Sequence, residues 1–146
     1  ARGSRRRPQD AGRAVIAFDT SALLDYLEGV DAVGAYLRAH PDRSFVAPSL
    51  ALFEVYRGAA RTGGREQIER AASDLDWLDP LPLTDAAARE AAVIEAELLA
   101  AGEPTNLGDV LIAGICRQHG ARIVTTDQDF ERIDGLDVEN PREMYG

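Results

Sequence analysis

Four carboxylates stand where an apolar run ends or a helix is expected to begin: Asp19, Glu54, Asp109 and Asp127. Asp19 closes the run Ala14-Val15-Ile16-Ala17-Phe18, and Asp127 follows Ile123-Val124-Thr125-Thr126. Glu54 is the only charge in segment 50–56, and Asp109 opens the apolar segment 110–116. Acids gathered from such places repel one another unless a hard cation sits between them. Mg2+ or Mn2+ suits that role, since Mg2+-type sites use few carboxylates and keep room for water and substrate phosphate. Sites of this kind hydrolyse phosphodiesters by activating water and stabilising the leaving oxygen.

Three of the acids also have a plainer use. Asp19 or Thr20 can cap the helix that follows. A buried carboxylate needs a partner, and Arg57 can supply a simple ion pair to Glu54. Asn106, three residues before Asp109, resembles half of a capping box, and an acid in a first turn favours the helix dipole. On local grounds both readings stand for these three.

The elements that must position these acids can be read from periodicity. Residues 14–18 are apolar without a break, as in a central parallel strand covered on both faces. A helix over 22–28 follows and stops at Gly29, and a second is expected near 31–40. Residues 44–47 form a short strand, and Pro48-Ser49 opens a helix. In it Leu52, Val55, Tyr56 and Ala59 make one buried stripe, with Leu50 and Phe53 making the opposite side apolar. Helical pattern resumes over 66–75, and the proline-marked stretch 77–83 suits an edge strand. Thr84-Asp85 caps a long helix over 86–101, whose Glu90, Glu95 and Glu97 fit a solvated face. The segment 110–116 is apolar on every side and so is a buried helix, ended at Gly120. Residues 122–126 form a buried strand, and a weak strand near 136–138 precedes a polar end. Strands alternate with helices, which predicts an α/β fold with a mostly parallel central sheet of about four to five strands, flanked by helices. Ligands bind such sheets where strands end at their C-terminal edge, which is where Asp19 and Asp127 fall.

Composition narrows the function. All sixteen basic residues are arginine, which excludes mechanisms that need lysine, such as the P-loop or Schiff-base chemistry. Residues 1–13 hold five arginines and no apolar core, so they are expected to be a disordered arm, an overlong start or residues foreign to the fold, and not a signal peptide. The domain proper is expected over 14–146, where 11 arginines against 24 acids leave about −13. Such a surface argues against a broad basic face for nucleic acid. Arg57, Arg61 and Arg65, four residues apart, are the best phosphate-contacting patch, with a plain solvated face as the alternative. No apolar run approaches the ~18 residues of a membrane span. Cys116 is alone and sits among apolar residues as a small core residue, which fits a reducing cytoplasm. His40 and His119, each at an expected helix end, fit capping of carbonyls.

The pieces FDTSALLDYL, SLALFE and GDVLIAGICRQHGARIVTTDQDF together resemble a PIN-domain ribonuclease, most of all the VapC toxins of toxin–antitoxin pairs. With their spacing they cover nearly all of residues 14–138. The resemblance implies a single PIN-like domain in which Asp19, Glu54, Asp109 and Asp127 are metal ligands and catalytic acids. It makes Asp129 an accessory acid, with Ser21 or Thr126 orienting ligands. Gly108 stands where relatives often carry Asn. The implied function is a Mg2+-dependent (or Mn2+-dependent) endoribonuclease with an RNA substrate, a homodimeric state, and a cognate antitoxin that inserts a basic residue among the acids. The acidic surface further predicts recognition of a folded RNA's shape or a single-stranded loop. A silent PIN-like RNA-binding or regulatory module is the alternative. A phospho-aspartyl phosphatase is disfavoured, because Ser21 stands where its second Asp belongs and no lysine is present.

Overall fold

The computed structural model describes residues 13–146, so the expected arm at 1–13 lies outside the described residues except for Arg13. Five strands form one sheet: β1 Ile16–Phe18, β2 Phe45–Pro48, β3 Leu78–Leu81, β4 Arg122–Val124 and β5 Asp137–Glu139. Their order is β3-β2-β1-β4-β5, and every pairing is parallel. The chain therefore builds outward from β1 in one direction and then returns to place β4 on its other side. Between β1 and β4 the order reverses, and a crevice opens there at the strands' C-terminal ends. Asp19 follows the first of these strands directly, and Asp127 lies three residues past the second.

Among the described residues six helices flank the sheet: α1 Thr20–Leu27, α2 Asp31–Ala39, α3 Ser49–Asp74, α4 Asp85–Ala100, α5 Leu107–Gln118 and α6 Pro141–Tyr145. None is long and apolar enough to cross a membrane. The central strands are fully covered, with Ile16, Ala17, Phe18, Ile123 and Val124 all at zero exposure. Phe18 anchors an aromatic cluster, meeting Phe45, Trp77 and Tyr36 edge-on at 5.5–6.0 Å between ring centres. Such pairs add to the burial of apolar area, because ring edges carry the charge that ring faces attract.

Helix α5 is buried at Val110, Ile112, Ala113, Gly114, Ile115 and Cys116, as its all-round apolar pattern requires. Helix α4 offers it a narrow stripe, Ala87, Ala91, Ile94 and Leu98, at spacings of four, three and four. The two approach closely at Gly114, where a Cβ would lie 2.6 Å from Ala91 Cβ and 2.8 Å from the Ala87 carbonyl oxygen. Neither neighbour can swing aside, since one is backbone and the other has no rotamer. Gly114→Ala is expected to lower stability by about 2 kcal/mol despite alanine's better helix propensity. A urea midpoint equal to or above that of the wild type would show that the helices can separate freely.

Several details differ from expectation for identifiable reasons. Helix α3 runs through Gly58 but breaks at Gly63–Gly64, where Gly64 adopts φ +65. Arg65 therefore lies beyond the kink and does not continue the row begun by Arg57 and Arg61. Tyr56 and Ala59 are only partly buried, and Phe53 is 54% exposed, because the far face of α3 is left open. Glu90 and Glu97 are not merely solvated. Arg117 on α5 reaches across to both, with its Nε 2.5 Å from Glu90 and an Nη1 3.2 Å from Glu97. Glu95 is exposed as expected.

The polar end contains a helix that was not anticipated. Asn140 Oδ1 accepts the Arg142 N–H at 3.0 Å, and Pro141 occupies the first turn, as suits a helix start. Arg142 then grips the buried carboxylate of Asp25 with two bonds, of 2.7 and 2.9 Å. This pair and the packing of α6 on α2 fasten the end of the chain to its first third. His40 and His119 donate from Nδ1 to the carbonyls of Tyr36 and Ile115, at 2.8 and 3.0 Å, as capping predicts. Cys116 is buried, which pushes its thiol up to about 12.

Candidate metal centre

Asp19 is only 3% exposed, and three donors fix its carboxylate. Oδ1 accepts the Ser21 hydroxyl at 2.7 Å and the Ala22 N–H at 3.1 Å, so Asp19 is indeed the N-cap of α1. Oδ2 accepts the Thr125 hydroxyl at 2.8 Å. Capping and site membership are thus compatible, because the cap uses one oxygen while the other is held by Thr125 at the β4 exit. Both hydroxyl protons are spent on Asp19, so Ser21 and Thr125 are left as acceptors on their other side. Ser21 Oγ takes the Thr126 N–H at 2.9 Å, and Thr125 Oγ1 takes the Asp127 N–H at 2.9 Å. The β4 exit is in this way stitched to the start of α1.

Thr125, 1% exposed, was overlooked in the sequence. Of the residues named there for orienting ligands, Ser21 does bond Asp19, whereas Thr126 contributes through its backbone N–H. The available signal was the length of the apolar run. Thr125 continues the buried stretch begun at Ile123, and a hydroxyl that deep needs a partner.

Asp109 sits in the first turn of α5. Asn106 Oδ1 accepts its N–H and Asn106 Nδ2 donates to its Oδ2, both at 2.8 Å. The cap therefore also aims the carboxylate. Asp127 starts a 3-10 turn, Gln128–Arg132, and its Oδ1 accepts the Asp129 N–H at 2.9 Å. Carboxylate oxygens of Asp109, Asp127 and Asp129 all lie within 4.8 Å of one another. Glu54, 23% exposed at its side chain, is held by the Thr20 hydroxyl at 2.6 Å, with Arg57 Nη2 3.9 Å from its other oxygen. It approaches Gly108, where a Cβ would come 2.9 Å from Glu54 Oε2. The missing side chain at Gly108 is the space this carboxylate uses.

The tightest group is thus not the expected four. Asp129 joins Asp109 and Asp127, while Asp19 and Glu54 act on Asp109 by charge or are acted on by it, each engaged with its own donors. The electrostatics tie the five together. Burial raises Asp109 to about 6, and the charges of Asp127, Glu54 and Asp129 add to the rise against the Asn106 bond. Burial likewise raises Asp19 to about 6, outweighing its three donors, and the charge of Asp109 contributes. Burial leads in both shifts and neighbouring acids add to them, so the charged forms here gain from a compensating cation. Hard oxygen donors so arranged fit a divalent cation of the Mg2+ type.

Of the three arginines proposed for phosphate contact, Arg57 stands between Glu54 and the ring of Phe53, its guanidinium carbon 5.3 Å from the ring centre. Arg61 lies one turn further along α3, and both are exposed, as is Arg65 beyond the kink.

Residues 16–136 match the model of the PIN domain. The tRNA(fMet)-specific endonuclease VapC of Shigella flexneri is 37% identical over 97 residues, spanning 63% of this chain and 71% of that protein. The crystal structure of VapBC2 from Rickettsia felis, bound to a fragment of promoter DNA, superposes with a TM-score of 0.79 at 21% identity. It covers 86% of this chain and 98% of its own. A toxin–antitoxin complex from Klebsiella pneumoniae gives 0.70 at 23% identity, covering 86% and 97%. At these identities the two structures share the fold with this chain.

Proposed function

Because the chain belongs to the PIN-domain family, we propose that it is a metal-dependent endoribonuclease, the toxin of a toxin–antitoxin pair. The observation that carries this reading is the gathering of Asp109, Asp127 and Asp129 within 4.8 Å, with Asp19 coupled to Asp109 by charge. The likeness to a VapC endonuclease, and to solved toxin–antitoxin complexes, supports the substrate class and a protein inhibitor as partner. Asp19, Asp109, Asp127 and Glu54 are the proposed catalytic acids, with Asp129 as a further ligand.

Mg2+ or Mn2+ would be held by Asp109 and Asp127, with Asp129 and Asp19 beside them. The chemistry such an ion supplies is activation of water and stabilisation of charge on the departing oxygen of a phosphodiester. The protein's own part is to hold its acids still. Ser21, Thr125 and the Ala22 N–H leave Asp19 one orientation, and Asn106 does the same for Asp109. Thr20 anchors Glu54, and Arg57 offsets part of its charge. Fixed acids of this kind need no rearrangement when substrate arrives, which is the main advantage of a preorganised site.

The test is incubation with cellular RNA, with MgCl2 or MnCl2 and with excess EDTA, followed by mapping of the cut ends. Discrete cuts that vanish with EDTA are expected. Cleavage that survives chelation would refute a metal mechanism, and RNA that is bound but never cut would favour a silent binding module.

A further inference from the structure

Helix α3 is kinked at Gly63–Gly64, and Ile68 from its second half lines one open space with Tyr56 and Ala60 from its first. Phe53, Arg57 and Arg61, at successive spacings of four, complete an open groove of about 470 Å3. Its interior is apolar and its mouth carries two exposed arginines. Single exposed apolar residues are ordinary on protein surfaces. Here the 54% exposed ring of Phe53 is instead one wall of a continuous apolar lining.

We propose that this groove receives an unpaired base of single-stranded RNA, stacked on Phe53, with Arg57 and Arg61 on the flanking phosphates. Three observations select that occupant. Arg57 touches both places, lying 3.9 Å from Glu54 and over the Phe53 ring, so the groove adjoins the acidic centre through this one side chain. The two arginines form a local positive edge on a domain of about −13, where a polyanion is otherwise repelled. An aromatic face beside guanidinium groups is the usual platform for single strands, because every base offers a π-face. A duplex keeps its bases stacked internally and cannot use it. The inference deepens the ribonuclease reading and rests on it for the identity of the polyanion.

The test is fluorescence anisotropy with a labelled single-stranded RNA and its duplex, in EDTA so that nothing is cut. Phe53→Leu is expected to weaken single-strand binding by roughly tenfold or more, and Phe53→Trp to retain it. Duplex binding should change less than about twofold in either. Because Phe53 is exposed, melting temperatures of both variants should match the wild type. Unchanged affinity in Phe53→Leu, or equal losses in both variants, overturns the stacking subsite. If the wild type still cuts RNA with Mg2+, the nuclease reading survives that loss. Conversely, Phe53-dependent binding in a protein that never cuts upholds the subsite and removes the nuclease. Should Phe53→Leu keep RNA but release the protein inhibitor, the groove is a protein-docking surface and the proposal falls.

Discussion

Asp109→Asn is expected to lower Mg2+-dependent RNA cleavage by about a thousandfold or more while leaving the fold intact. The substitution removes one charge from the trio Asp109, Asp127 and Asp129, whose oxygens lie within 4.8 Å of each other. Metal-assisted stabilisation of a phosphodiester transition state is worth several kcal/mol, and each 1.36 kcal/mol is a tenfold change in rate. The fold is protected because an amide can still accept the Asn106 Nδ2 bond, and the backbone cap from Asn106 Oδ1 is untouched. Cleavage assays on the purified variant, at matched secondary structure by circular dichroism, provide the measurement. Activity within about tenfold of wild type would mean that the acids are not the catalytic machinery.

The second large effect concerns stability without metal. Asp19 and Asp109 both stand near 6 in the folded chain, against 3.8 for a free aspartate. Below about pH 3.8 each is protonated whether folded or not, so neither affects the balance. As pH rises from there to 6, the unfolded chain gives up these protons while the folded chain retains them. Folding is therefore progressively disfavoured across that window, and the full penalty applies above it. For buried Asp19 the displacement corresponds to roughly 3 kcal/mol; half-exposed Asp109 adds less, because water screens it. Metal-free protein should accordingly melt at a lower temperature at about pH 8 than at about pH 5. Millimolar Mg2+ should restore stability at the higher pH and do little at the lower, since ligands must be deprotonated to bind. Asp19→Asn should flatten the profile. A wild-type profile that rises from acid to neutral pH, unaffected by Mg2+, would contradict the charge excess at this site.

The fold and the placement of the acids were legible because the decisive signals are local. Apolar runs that end in Asp19, and in Thr125-Thr126-Asp127, declare buried parallel strands and the edge at which they finish. What escaped notice depends on tertiary neighbours. Thr125 looked like a strand residue, and only the proximity of Asp19 gives its hydroxyl a task. Asp129 was named only through the family resemblance; it meets Asp109 and Asp127 because a 3-10 turn follows Asp127, and no periodicity announces five residues of that kind. Helix α6 is too short to display an amphipathic period, although Asn140-Pro141 was a usable start signal. The burial of α3 was overestimated because its two apolar sides looked equivalent, whereas one of them is open.

The sheet ends in two short strands, one carrying Pro80 opposite Ala47, the other only Asp137–Glu139 with Asp137 exposed. A missing amide hydrogen on one rim and a carboxylate on the other make poor templates for a visiting strand. Copies of this chain are thus poorly suited to zipping rim to rim into fibres. A partner that clasps this domain is better served by helices or side chains than by lengthening its sheet.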